Sequence, residues 1–261
     1  MSLPDYHAWE ATRSALHQAM QVLRSARLLS VSPQPNDAHY GMFPIPAGAA
    51  TGPLNSGGTL SLDFARGMLI YERGGVETFT LGLRGHSQRS LFVEAFAGLR
   101  AAGLSGEPDR SKITHDEPLD FDPEQGAEFG GVMWRMALAL MRFKARMSGA
   151  QSPLMLWAHG FDYSSLWFPG GMDERRDPHI NVGFSPGTPD VGQPYFYLYA
   201  WPPPQGLREA LPPGMIWMEG WSAPGGALPY ALIARSEDPE GLAIDMLWDF
   251  FGAAAGALKA R

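Results

Sequence analysis

The chain has 261 residues, of which 45% are hydrophobic and 18% charged, with a formal net charge of −7 and no cysteine. Disulfides and thiolate metal sites are excluded, and an acidic chain without a Lys/Arg cluster is not expected to bind nucleic acid. The length allows a large core, and 31 Gly with 23 Pro in an otherwise apolar chain predict many tight turns between antiparallel strands.

The N-terminal sequence MSLPDYHAWEATRS lacks the basic-then-apolar pattern of a signal peptide, so a cytoplasmic location is expected. A first helix is predicted over Asp5–Arg24, with its cap in Ser2–Asp5. Trp9, Leu16, Met20 and Leu23 share its apolar face and His17 sits at the edge. Leu28–Val31 reads as a short strand and Ser32–Asp37 as a turn. His39–Pro46 reads as extended, with three prolines from Pro44 to Pro53 making it irregular or an edge. A meander then follows over Thr59–Ala65, Met68–Arg73 and Val76–Leu83, with Gly74-Gly75 as a hairpin turn.

A second helix starts near Ser87 and stops at Gly103. Asp109–Asp122 reads as an acidic surface connection with a short strand at Lys112–Thr114. Asp122-Pro123 with Gln125 predicts a capped third helix, whose face runs from Phe129 to Met147 at helical spacing. Its most apolar run, Val132–Met141, is too short to span a bilayer. Strands are predicted at Leu154–Ala158, Tyr163–Phe168, His179–Phe184, Tyr195–Trp201, Met215–Trp221 and Leu228–Ala234. A last helix follows, capped at Asp238-Pro239.

The chain also carries a repeat signal. Ser32-Pro33 and Ser152-Pro153 lie 120 residues apart, as do His39 and His159, and as do Thr59–Gly67 and His179–Gly187. The expected architecture is therefore α+β, a single duplicated domain over 1–261. Its two helix–antiparallel strands–helix units would be repeat one (about 1–108) and repeat two (about 121–261).

Trp9, Thr12 and Leu16-His17, Ser32-Pro33 with Asn36, and Ser152-Pro153 leading to Phe161-Asp162 form one recurrent pattern. Gly183-Phe184-Ser185-Pro186-Gly187 and Tyr197-Leu198-Tyr199 before Pro202 extend it. In these residues the chain resembles an uncharacterised bacterial domain-of-unknown-function family over nearly its whole length. The family's histidine-tryptophan cluster is reduced here to Asp37-Ala38-His39-Tyr40. Met155 stands where the family has a histidine, and Trp167 where it has a basic residue. The resemblance implies a fold and a bacterial origin, and no activity.

No catalytic signature is present. Gly52–Gly58 lacks the Lys-Ser/Thr ending of a phosphate loop, Ser164-Ser165 has no nucleophile-elbow context, and no HExxH occurs. Tyr195, Tyr197, Tyr199 and Trp201 alternate onto one face of a strand. That face is either a ligand groove or a sheet covered by a helix. Glu219, set between Trp217 and Trp221, either has a raised pKa or pairs with an Arg.

The expected function is a soluble protein that binds a small organic ligand in an aromatic-lined cleft between the repeats, through His159, Asp162, Trp167, Tyr197 and Tyr199. One alternative is a metal-assisted hydrolase with His39, His159, Asp162 and His179 as ligands. Another is a structural protein whose aromatic surface serves homo-oligomerisation. Neither nucleic acid nor membrane is an expected partner, and the cofactor is left open.

Overall fold

The computed structural model describes residues 6–221 and 223–259. The proposed cap at Ser2–Asp5 lies outside them. A 3-10 turn, Tyr6–Trp9, leads into helix α1 Glu10–Ser30. Strands β1 Gly41–Ile45, β2 Gly48–Pro53, β3 Gly58–Asp63, β4 Met68–Arg73 and β5 Val76–Gly82 follow, then helix α2 Gln88–Ala101 and helix α3 Pro123–Arg146. After these come β6 Ala150–Gln151, β7 Met155–Trp157, β8 Asp162–Phe168, β9 His179–Ser185, β10 Tyr195–Trp201, β11 Ile216–Met218 and β12 Gly225–Pro229. The chain ends in the one-turn helix α4 Tyr230–Ile233 and helix α5 Pro239–Lys259. The fold is α+β, and its strands pair antiparallel.

The chain forms two compact units. One comprises His7–Trp134 with Met155–Phe161, the other chiefly Arg135–Leu154 with Asp162–Arg261, so α3 contributes to both. In the first unit the strands run β7-β1-β2-β3-β4-β5. Gly74 and Gly75 turn β4 into β5 with φ of 61° and 78°, the left-handed pair that a tight hairpin needs. Trp9, Phe64, Phe129 and Phe161 pack ring to ring in its core.

Four local differences from the sequence reading stand out. Leu28–Ser30 is the last turn of α1 rather than a strand. The buried Arg27 guanidinium bonds the carbonyls of Thr51 and Ala38, and that keeps the turn wound. β1, within His39–Pro46, is an interior strand between β7 and β2 rather than an edge, and β2 ends at Pro53, where its register with β3 shifts after Ala50. Tyr230–Ile233 coils instead of continuing β12. Lys112–Thr114 is loop, held by Thr114 and His115 N–H bonds to Gln88 Oε1.

Asp122 caps α3, its Oδ1 accepting from the Glu124 and Gln125 N–H groups at 2.8 and 3.0 Å. The Gln125 side chain does not return to the Asp122 N–H as a capping box would have it. Thr12 Oγ1 takes that N–H at 3.0 Å and donates to Gln125 Oε1 at 3.0 Å. Ser87 caps α2 in a full capping box with Ser90.

In the second unit the order is β11-β12-β10-β9-β8, with β6 on the far part of β8. Asp238 caps α5 through the Gly241 N–H at 2.9 Å. α5, not the run in α3, is long and apolar enough by length and composition to cross a membrane. Here it packs on β9 and β10 with Leu247, Phe250 and Phe251 buried. Of the segments that suggested a repeat, Thr59–Gly67 covers most of β3 and the turn after it, and His179–Gly187 covers β9 and its turn. The 120-residue offset also sets β2 against the loop after β8.

A polar aromatic face on β8, β9 and β10

Alternation gives the sheet of the second unit two unlike faces. Ser165, Trp167, Val182, Phe196 and Leu198 project to one side. There α5 supplies Phe251 against Trp167, with ring centroids 5.2 Å apart, and α3 supplies Lys144. The other side carries Asp162 and Ser164 from β8, His179, Asn181, Gly183 and Ser185 from β9, and Tyr195, Tyr197, Tyr199 and Trp201 from β10. Register fixes this grouping: Tyr197 lies opposite Gly183, Tyr199 opposite Asn181, and Trp201 opposite His179. The tyrosine face is therefore not the helix-covered one. Val191, Met218 and Trp221 pack on it instead, around Tyr195, Tyr197 and Ala227.

Tyr197 is the centre of this face. Its ring crosses Gly183, where a Cβ would come within 2.4 Å of the ring and 2.3 Å of the Tyr163 carbonyl. Only glycine there lets the ring lie flat and its hydroxyl reach β8, where it donates to Asp162 Oδ2. Burial, with the adjacent Asp162 carboxylate, raises the Tyr197 hydroxyl well above its ordinary pKa of 10.0. Tyr199 stacks on Tyr197 (6.5 Å, 8°) and accepts from Asn181 Nδ2 at 2.7 Å. Burial also raises the Tyr195 and Tyr199 hydroxyls. His179 stacks on Trp201 (5.6 Å, 19°) and donates Nδ1–H to the Asp177 carbonyl at 3.0 Å. Burial depresses its pKa, favouring neutral imidazole.

Asn181 is 8% exposed, yet its Oδ1 is buried without a hydrogen-bond partner. With the amide nitrogen turned to Tyr199, an acceptor is left over inside an aromatic surround. Such a group costs about 1–3 kcal/mol while unpaired and calls for an explanation. Strain lies beside the same site. Phe161, the residue before Asp162, is a bulky residue at φ 54°. It is held there by burial against Phe64 and Phe129 and by stacking on His17 (5.1 Å, 7°). Backbone in this region costs about 1–3 kcal/mol and concentrates at functional sites.

Of the five expected ligand contacts, Asp162, Tyr197 and Tyr199 come together. Trp167 does not join them: it points to the helix-covered face, where its Nε1–H donates to the Ser148 carbonyl at 2.8 Å. His159 belongs to the first unit, exposed in the turn after β7 and against Trp157. The four proposed metal ligands are likewise divided. His39 is buried in the first unit, its Nδ1 accepting the Gln34 N–H at 3.2 Å and its ring on Tyr40. Among the described residues no three His, Asp or Glu side chains converge as a metal site. Glu219 accepts from Trp217 Nε1 at 2.6 Å. Asn181 was missed in the sequence, although HINVGFS signals it: the residues alternating with Ile180, Val182 and Phe184 are all polar or small.

An α+β protein with a polar aromatic sheet face is thus defined. The chain belongs to a family of unknown function, DUF5996, whose model matches residues 2–259. No curated protein and no solved structure matches it.

Proposed function

We propose that this protein binds a small organic molecule on the face formed by Asp162, Asn181, Tyr197 and Tyr199. The observation that carries the reading is the unpartnered amide oxygen of Asn181. An acceptor buried among stacked tyrosines is costly in the free protein and gains a partner when a ligand donor arrives. Apolar ring walls with a few fixed polar groups suit ligands of this size. The site lies within the second unit, rather than in the cleft between repeats expected from the sequence.

The test compares wild type with Asn181→Leu in a thermal-shift screen of chemically varied small metabolites. Binding at this face predicts compounds that raise the midpoint of wild type and leave Asn181→Leu unmoved. Compounds that stabilise both proteins equally, or a screen with no binder, would overturn the reading.

A further inference from the structure

We propose that the ligand of this face is recognised through a neutral amide edge, as in a primary carboxamide or a lactam, whose N–H donates to Asn181 Oδ1 and whose carbonyl accepts the Tyr199 hydroxyl proton. The inference rests on the binding site proposed above and adds the chemical class of its ligand.

The first observation is what the bond between Asn181 and Tyr199 leaves over. Asn181 Nδ2 donates to the Tyr199 hydroxyl oxygen at 2.7 Å. A phenol donates as well as accepts, yet among the described residues nothing accepts the Tyr199 proton. Asn181 Oδ1, on the same amide, is buried without a donor. One bonded pair therefore carries an unused acceptor and an unused donor. Burial raises the Tyr199 hydroxyl above its ordinary pKa, so it keeps its proton at neutral pH. Tyr199 is only partly buried, and through it the pair meets the rim of the face.

The second observation is the flat aromatic surround. Asn181 and Tyr199 lie opposite each other on β9 and β10. The Tyr197 ring lies within 8° of the Tyr199 plane, and on the next register pair Trp201 stacks on His179. Flat apolar walls with few polar groups suit a flat ligand that hydrogen-bonds along one edge.

The pair also discriminates among ligand groups. An ammonium supplies donors and leaves the Tyr199 proton unused. An ester or a carboxylate accepts that proton and leaves Asn181 Oδ1 unpaired. An alcohol must make both bonds with one oxygen. An amide edge supplies a donor and an acceptor on separate atoms held in one plane, the complement of what the protein presents. A site built to hydrogen-bond a ligand group rejects the analogue that lacks it, because its own buried group then stays unpaired.

The experiment uses the full chain and three probes of similar shape, benzamide, benzyl alcohol and methyl benzoate, followed by calorimetry at neutral pH. Benzamide is expected to bind about tenfold more tightly than methyl benzoate, which has no N–H, the ratio that about 1.4 kcal/mol provides. Benzyl alcohol should also bind more weakly than benzamide. Tyr199→Phe keeps the ring and removes the donor, and should weaken benzamide by about the same factor. The three-probe comparison on wild type decides the matter if Tyr199→Phe does not fold.

If methyl benzoate or benzyl alcohol binds as tightly as benzamide, and Asn181→Leu abolishes that binding, the amide assignment falls and the site stands. Benzamide binding untouched by Tyr199→Phe also overturns the assignment. If no probe binds, the amide assignment falls, and the site is then decided by the thermal-shift screen alone. Benzamide that binds Asn181→Leu as tightly as wild type overturns the site and the amide together.

Discussion

Tyr197 on β10 reaches over β9 to donate its hydroxyl proton to Asp162 on β8, so one hydrogen bond ties three strands. A bond to a charged acceptor contributes about 1.5–3 kcal/mol net, and Tyr197→Phe should lose about that much in a urea titration with m unchanged. The pH dependence has a definite sign. A phenol whose folded pKa is raised contributes stability that is complete below the unfolded value of 10.0 and is lost as pH climbs toward the folded one. Wild type should therefore lose stability above about pH 10, and the variant should lose it less steeply. Equal slopes would show that Tyr197 does not govern the alkaline limb.

Gly183 makes that bond possible, and Gly183→Ala tests it from the other strand. Its Cβ would meet the Tyr197 ring at 2.4 Å and the Tyr163 carbonyl at 2.3 Å, and the second contact is backbone that cannot turn aside. Overpacking of this kind costs about 1–3 kcal/mol or more. The variant should be destabilised by at least as much as Tyr197→Phe, and the double variant by less than the sum, because both act on one ring. Strict additivity in a double-mutant cycle would separate the glycine from the tyrosine.

Much of this arrangement was legible in the chain. The alternation of Tyr195, Tyr197 and Tyr199 gave their common face, Gly74-Gly75 gave the hairpin, and Asp122 gave the start of α3. Information that depends on contacts between distant segments was not legible. The last turn of α1 looks extended by local preference and is helical because Arg27 finds carbonyls on β2 and before β1. Trp167 looks like a site residue by proximity to Asp162. The two-residue period nevertheless sends these side chains to opposite faces, since 162 and 167 differ by an odd number. Trp221 reads locally only as a flank of Glu219, and it joins Tyr195 and Tyr197 through the fold.

Thr12 illustrates the same point in the first unit. Its buried hydroxyl accepts the Asp122 N–H and donates to Gln125 Oε1, completing the cap of a helix 110 residues away. Thr12→Val keeps shape and strands both partners. It should cost about 1–3 kcal/mol, the range for leaving buried polar groups unpaired, while Thr12→Ser should cost less because the hydroxyl remains. Denaturant midpoints of the two variants decide it. A valine variant as stable as the serine one would show that the relay carries no net energy.

Lys144 should make stability rise with pH over a window where the tyrosines are still silent. Its ammonium sits under the sheet of the second unit, donating to the Ser152 carbonyl at 2.7 Å, Ser165 Oγ at 2.5 Å and Gln151 Oε1 at 3.1 Å, and burial lowers its pKa to about 8. Below that pH both folded and unfolded chains are protonated, and the folded one bears the cost of a partly desolvated charge. Between about 8 and the ordinary 10.5 the unfolded chain binds more protons, so unfolding free energy increases with pH. Urea midpoints measured from pH 7.5 to 9.5 should climb in wild type. They should stay flat in Lys144→Met, which keeps the apolar stem and removes the titrating amine. A wild-type midpoint that stays flat across this window would mean that the amine keeps its ordinary pKa and that its three acceptors compensate fully for its burial.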